Sequence, residues 1–178
     1  MTGGKDDNTI VAVGGSALLS GGRGNDSLTG SGGGNTYLYS TGDGSDTIAD
    51  NSKVNGFTAA NTLRFGQGIR QEDIKLGLGS LLIRVGNDPG SAIHIEGFAP
   101  GDALATLNAP AIDRFEFADG SVLTYAQLLA RGFDLDGGVG DDVIVGTNVS
   151  DRVDFHTLRT NPPRDPSNDS FFTRRAAA

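Results

Sequence analysis

The stretch GGRGNDSLT, residues 21–29, decides how the rest of the chain is read. It has the form GGxGxDxUx, with U a large apolar residue, which is the nine-residue unit of a parallel β-helix whose turns hold a cation. Gly21, Gly22 and Gly24 have a mechanical role in such a turn. A loop this tight needs positive φ, and it brings backbone carbonyls close to an ion that a Cβ would keep away. Asp26 supplies a hard anionic oxygen, and Leu28 points inward.

The neighbouring segments keep step. Counting back by nine gives Leu19 and Ile10 in the apolar slot, and counting forward gives Tyr37. The sixth position of the same four units reads Asn8, Ala17, Asp26 and Asn35. After a two-residue insertion the unit TGDGSDTIA, residues 41–49, restores the pattern with Asp46 and Ile48. A flexible Gly/Asp-rich linker is the competing reading, but a linker has no reason to hold apolar residues in a nine-residue phase.

Two units make one coil, so turns on the same edge lie eighteen residues apart. Asn8, Asp26 and Asp46 therefore fall on one edge, and Ala17 and Asn35 on the other. Calcium takes six to eight oxygens, so a site between stacked turns combines position-six side chains with loop carbonyls. The best site is expected between the loops Gly21–Asp26 and Thr41–Asp46, drawing on Gly21, Gly22, Arg23, Gly24, Asp43 and Gly44. A weaker one is expected between Gly3–Asn8 and Gly21–Asp26. The Ala17 edge should bind poorly or not at all, with Asn35 as its only candidate ligand. Two inward side chains per coil are too few to offset the ordering of eighteen residues, so the block is expected to be disordered without calcium and to fold on binding it.

These units are similar to the repeats-in-toxin (RTX), or haemolysin-type, calcium-binding family, and NTYLYSTGDGSDTIAD, residues 35–50, looks like the way many of its repeat blocks finish. The resemblance covers about a quarter of the chain here, with a further unit near the C-terminus. It implies a parallel β-roll, bound Ca2+, and export by type I secretion from an uncleaved C-terminal signal to the extracellular region.

From residue 51 the period changes from nine to two. Ile74, Leu76 and Leu78, then Leu81, Ile83 and Val85, read as two strands, with a third around Ile93 and Ile95. GNDPG, residues 86–90, is turn chemistry. Further strands are expected at Thr62–Phe65 and around Phe115 and Phe117, the latter returning through Val122. Thr124 and Gln127 form a capping box for one short helix with Leu128 and Leu129 on its apolar face and Arg131 with Gly132 at its stop. The residues NTLRFGQGI, QED, SLLIRV and IDRFEFADGSVLTYAQLLA resemble the haemolysin-type calcium-binding-related domain found beside RTX blocks. By that resemblance its task is to cap and nucleate the roll.

GGVGDDVIV, residues 137–145, matches the unit again, with loop glycines Gly137, Gly138 and Gly140, ligand Asp142 and inward Ile144. GTNVSDRVD follows in phase with Asp151 and Val153. The two units are expected on opposite edges of one coil, without a same-edge partner, so calcium there should be weak unless Asp134 or Asp136 contributes or further repeats dock. After Phe155 glycine disappears and Pro162, Pro163 and Pro166 enter, which reads as a disordered tail, an export signal or a vector-derived remnant.

The chain of 178 residues has net charge −8, no cysteine and 28 glycines. The charge argues against nucleic acid, the missing cysteines exclude disulfides and thiolate metal sites, and no apolar run reaches a membrane span. HExxH, G-x-S-x-G and GxGxxG are absent, His94 and His156 stand far apart, and Asp113 and Glu116 face opposite sides of a strand. No enzyme activity is therefore expected.

The reading is an all-β protein: a parallel β-roll of Gly/Asp-rich nonapeptides at residues 1–50, a small antiparallel β domain with one short helix at 51–136, a second repeat pair at 137–154 and a tail at 155–178. It is a secreted, monomeric calcium-binding module, or part of a larger chain. The alternatives are a calcium-stiffened binding module of a large adhesin, contacting polysaccharide or a cell surface, and the C-terminal part of an RTX hydrolase.

Overall fold

A computed structural model describes residues 1–53, 55, 56, 58–105, 109–136 and 143–154. The chain winds two sheets face to face. β1 (Thr9–Ala12), β3 (Ser27–Gly30) and β5 (Ser45–Asp50) stack in parallel in one sheet. β2 (Leu18–Ser20), β4 (Thr36–Tyr39) and β6 (Thr62–Phe65) stack in parallel in the other. Alternate nonapeptides therefore supply alternate faces, as the eighteen-residue coil requires. Ile10 pairs with Leu28 and Leu28 with Ile48, while Leu19 pairs with Tyr37 and Tyr37 with Leu63. All six side chains are buried between the sheets. The two-residue insertion before Thr41 is absorbed in a turn, so the register of β3 with β5 survives it.

The sheets do not end where the glycines thin out. β9 (Ala92–Ile95) adds in parallel to β5, and β10 (Arg114–Glu116) adds in parallel to β6. β7 (Ile74–Gly77) and β8 (Leu81–Val85) follow β9 as antiparallel neighbours, and β11 (Val122–Thr124) closes the other sheet against β10. β12 (Phe133–Asp136) then pairs in parallel with β7, and β13 (Asp151–Asp154) with β12. One sheet runs β1-β3-β5-β9-β8-β7-β12-β13, the other β11-β10-β6-β4-β2. The expected antiparallel pairings of the middle segment are present as hairpins, but the segment joins the roll by parallel pairing in both sheets. Alternation of apolar residues specifies a strand and its buried face; it does not specify the neighbour.

The strand β13 departs from expectation in one respect. Its partner β12 lies eighteen residues earlier, Phe133 against Asp151 and Leu135 against Val153, so this unit does stack on a coil within the chain. The helix α1 (Tyr125–Leu129) forms as its capping box predicts: the Thr124 side chain accepts from the Gln127 N–H and the Gln127 side chain accepts from the Thr124 N–H. It seats Leu128 and Leu129 on a core that includes the stacked pairs Phe65–Phe117 and Phe98–Phe133.

Candidate metal centre

The turns at residues 3–8, 21–26 and 41–46 lie on one edge of the roll, locked by backbone bonds from the Arg23 N–H to the Gly4 carbonyl (2.9 Å), Ser27 to Asn8 (2.8 Å) and Thr47 to Asp26 (2.7 Å). Their glycines are there for approach as well as for conformation. Gly24 and Gly44 have φ of +118° and +101°, and a Cβ on Gly44 would collide with the Gly24 carbonyl oxygen. A Cβ on Gly21 would collide with Asp26 Oδ2.

Each position-six side chain hooks the coil before it. Asp26 Oδ1 accepts from the Asn8 N–H (2.7 Å), and Asp46 Oδ1 accepts from the Asp26 N–H (3.0 Å). A second hook runs outside it in the opposite sense: Asp7 Oδ1 accepts from the Asn25 N–H (2.8 Å) and Asn25 Oδ1 from the Ser45 N–H (3.0 Å). The inner carboxylates are only 2% and 1% exposed, and their other oxygens, Asp26 Oδ2 and Asp46 Oδ2, have no hydrogen-bond partner. A buried charged acceptor with no donor costs about 1–3 kcal/mol or more. Burial lifts Asp46 to a pKa of about 7; the bond from the Asp26 N–H opposes this, and the Asp26 and Asp43 charges add to it. Asp43 is also pushed above the usual carboxylate range, by burial first, against the bond from the Ser40 N–H. Arg23 is exposed.

The opposite edge solves the same problem without charge in its inner positions. The Ala17 N–H donates to Asn35 Oδ1 (3.0 Å), the Asn35 N–H to Asn61 Oδ1 (3.0 Å), and the Asn61 N–H to Asp113 Oδ2 (2.7 Å). Where an aspartate leaves a bare oxygen, each asparagine presents an NH2. Asn35 Nδ2 donates to the Gly32 carbonyl (2.6 Å) and to Asp50 Oδ2 (3.0 Å), and Asn61 Nδ2 to Ser52 Oγ (2.8 Å) and the Ala111 carbonyl (2.9 Å). Asp50 also accepts from the Tyr37 hydroxyl (2.6 Å) and the Ser52 N–H (2.8 Å), and Lys53 pairs with Asp113 at 3.2 Å. Burial, then the bond to Asp50 and its charge, hold the Tyr37 phenol far above its usual range. Both ends of the Asn35 amide are thus engaged within the protein.

Sequence reasoning missed Asn61 and Asp113 as members of this ladder. A signal was present: NTYLY at 35–39, NTLRF at 61–65 and DRFEF at 113–117 share a polar head two residues before the first of two inward apolar positions.

The remaining candidates are dispersed. Asn8 ends its edge, with Oδ1 turned back to the Gly4 N–H (2.7 Å). Asp151 caps its own turn, its Oδ2 accepting from the Thr147 N–H (2.9 Å) and its Oδ1 from the Thr147 hydroxyl (2.8 Å). Its register partner on β12 is Phe133, which offers no ligand, and Asp134 is paired with Arg152 at 2.6 Å. Gly137, Gly138, Gly140 and Asp142 lie outside the described residues.

Among the described residues no three His, Cys, Asp or Glu side chains converge closely enough to hold an ion by themselves. A cation on the aspartate edge must therefore draw most of its oxygens from loop carbonyls. The donor set fits a hard ion: carboxylate and carbonyl oxygens, no imidazole and no thiolate, with two bare buried oxygens already in place.

Residues 81–127, about a quarter of the chain, match the haemolysin-type calcium binding protein related domain. The matched span carries β8 and β9 of one sheet and β10 and β11 of the other, so it extends the eight-stranded sheet beyond the glycine-rich coils and closes the five-stranded one. The match associates the chain with calcium binding, and it leaves the turns at 21–26 and 41–46 outside its limits. No curated protein and no solved structure matches the chain.

Proposed function

We propose that the protein is a calcium-responsive β-roll in which the ion is held on the aspartate edge, between the turns Gly21–Asp26 and Thr41–Asp46. The observation that carries this is the pair of buried carboxylate oxygens, Asp26 Oδ2 and Asp46 Oδ2, that accept from nothing. Their first oxygens are fixed by backbone N–H groups of the preceding coil, which orients the second pair without neutralising it. Calcium supplies the divalent charge that turns two repelling carboxylates into a clamp. The carbonyls of Gly21, Gly22, Arg23, Gly24 and Asp43 would complete the shell; that of Gly44, expected there from the sequence, instead accepts from the Tyr39 hydroxyl (2.6 Å) and the Ala92 N–H (3.1 Å). The asparagine edge needs no such ion, so calcium closes one edge of a roll whose other edge is closed by hydrogen bonds.

An extracellular setting suits this chemistry. Modules that work outside the cell bind calcium in the range of about 0.1–1 mM, and a chain without cysteine has no disulfide to hold it there. Export by the type I route, as the resemblance to RTX repeats implies, would deliver a chain whose aspartate turns stay unclamped until they meet calcium.

The test is a calcium titration of the full chain followed by circular dichroism and calorimetry, alongside Asp26→Ala and Asp46→Ala. Each substitution should weaken the midpoint by about tenfold or more. An unchanged midpoint and amplitude in either one rejects the site.

A further inference from the structure

On the outer face of the eight-stranded sheet, bordering the turn Thr41–Asp46 at Ser45, a groove of about 750 Å3 runs over β5 and β9. Its floor is made by Ser45 and Thr47 of β5 and His94 of β9, and Thr47 and His94 are register partners. Leu78–Ser80, the turn between β7 and β8, forms one wall, and Glu96–Phe98 the other. Two features fix its shape. Ser80 Oγ lies 3.0 Å from His94 Nδ1, which sets the plane of the imidazole, and Phe98 is held by stacking on Phe133 at 5.4 Å.

The lining chemistry is selective. Three hydroxyls and an imidazole offer both donors and acceptors, Leu78 and Phe98 offer apolar walls, and Glu96 is the single charge. With no lysine or arginine in the groove, phosphate and other anionic ligands have nothing to pair with and one carboxylate to avoid. An apolar peptide would strand the hydroxyls of the floor. The floor also continues past the groove: Thr9, Ser27, Thr47 and His94 are successive register partners across β1, β3, β5 and β9. Such a row repeats at the strand spacing of about 4.8 Å, on the scale of one sugar ring.

We infer that this groove is a binding site for a neutral polysaccharide, whose hydroxyls meet the Ser45, Thr47, Ser80 and His94 polar atoms and whose C–H faces meet Leu78 and Phe98. The groove is open to solvent along its length, which suits an extended chain rather than an enclosed small ligand. The row of hydroxyls beyond it gives an extended chain more purchase than a single sugar. The site adjoins the aspartate edge at Ser45, but its hydroxyls, imidazole and apolar walls would recognise a sugar without the ion.

The experiment is isothermal titration of the full chain, held in millimolar calcium, with neutral glucose-based and N-acetylglucosamine-based hexasaccharides and with a hexa-uronide as the charged counterpart. Saturable binding of a neutral probe is expected, with Thr47→Arg weakening it by about tenfold or more. Val11→Arg, on the same face but outside the lining, should leave it intact. His94→Ala provides a second disruption should the arginine variant fail to fold, and folding is checked by the calcium-dependent circular dichroism of each variant. Binding of neither neutral probe, tighter binding of the uronide, or an equal effect of Thr47→Arg and Val11→Arg would overturn the assignment. Loss of calcium response with the groove intact would reject the calcium reading alone.

Discussion

Replacing Asp46 by asparagine should make the calcium-free protein more stable and the calcium-loaded protein less so. The asparagine keeps the acceptor that Asp46 Oδ1 presents to the Asp26 N–H, and it puts an NH2 where Asp46 Oδ2 has no partner. The protein contains its own precedent: at the same slot on the other edge Asn35 Nδ2 donates to the carbonyl three residues earlier, that of Gly32. For residue 46 the corresponding carbonyl is that of Asp43. The size of the gain comes from the carboxylate's displacement from 3.8 to about 7. At 1.36 kcal/mol per unit that is an upper bound of about 4 kcal/mol at neutral pH, and relaxation with solvent around the turn reduces it to about 2–3 kcal/mol. A chain of this length shifts by roughly 2–4 °C per kcal/mol, so Asp46→Asn should melt about 5–10 °C above the parent in chelator. In calcium at a thousandfold excess over Kd the parent gains about 4.1 kcal/mol, and the variant should gain little of it. Thermal melts in chelator and in calcium therefore cross. A variant that melts below the parent in chelator, or keeps the parent's calcium increment, refutes the claim that these oxygens are what the edge lacks.

The same displacement sets a pH dependence. Asp46 has a folded-state pKa above its unfolded value, so its proton favours the fold: its contribution to metal-free stability is greatest below about pH 4, declines as pH rises to about 7, and is level beyond. Chelator melts across that range should show the decline, and calcium, competing with the proton, should flatten it. On the other edge Asn61→Leu removes the acceptor for the Asn35 N–H and strands Ser52 Oγ and the Ala111 carbonyl in a fully buried position, costing about 3–4 kcal/mol. Because no ion acts there, its loss of Tm should be equal in chelator and calcium; a deficit that calcium repairs would place an ion on this edge. Hydrogen exchange in chelator should leave the Asn35 and Asn61 amides protected while the Asn8 and Asp26 amides, hooked by the unneutralised carboxylates, exchange faster. Equal loss on both edges would contradict the asymmetry.

Which parts of this were legible in the sequence depends on whether the chain returned on schedule. On the aspartate edge the hooks join residues 18 and 20 apart, and that near-constancy is what makes Asn8, Asp26 and Asp46 readable as one row. On the other edge the separations are 18, 26 and 52, because the chain leaves the coil for a loop and then for a three-stranded excursion before it comes back. Asn61 and Asp113 have the right local sequence, but a period cannot register them. β12 was hidden for a related reason: Phe133 occupies the slot where a carboxylate was sought, so the coil beneath β13 carried no acidic mark. The capping box of α1 was readable because all its determinants lie within four residues.

The two edges differ by one atom per turn, and that difference decides where the protein requires an ion. Asp26, Asp46, Asn35 and Asn61 share the same first duty, to offer an oxygen to an N–H of the preceding coil, and all perform it at 2.7–3.0 Å. The second atom separates them. The Asn35 amide nitrogen finds a carbonyl in its own turn and that of Asn61 finds Ser52 Oγ and the Ala111 carbonyl, whereas Asp26 Oδ2 and Asp46 Oδ2 find no donor. A run of glycines makes the loop tight enough for this contrast to count, because it leaves the second atom no route to water. On the proposed reading the aspartate edge is incomplete until a cation arrives, while the asparagine edge, tied through Asn61 and Asp113 to the segment that resembles the calcium-binding-related domain, holds the strands in register. On that reading calcium would have only the aspartate turns left to order, and a solenoid whose coils contact only their neighbours would pass that order from one coil to the next.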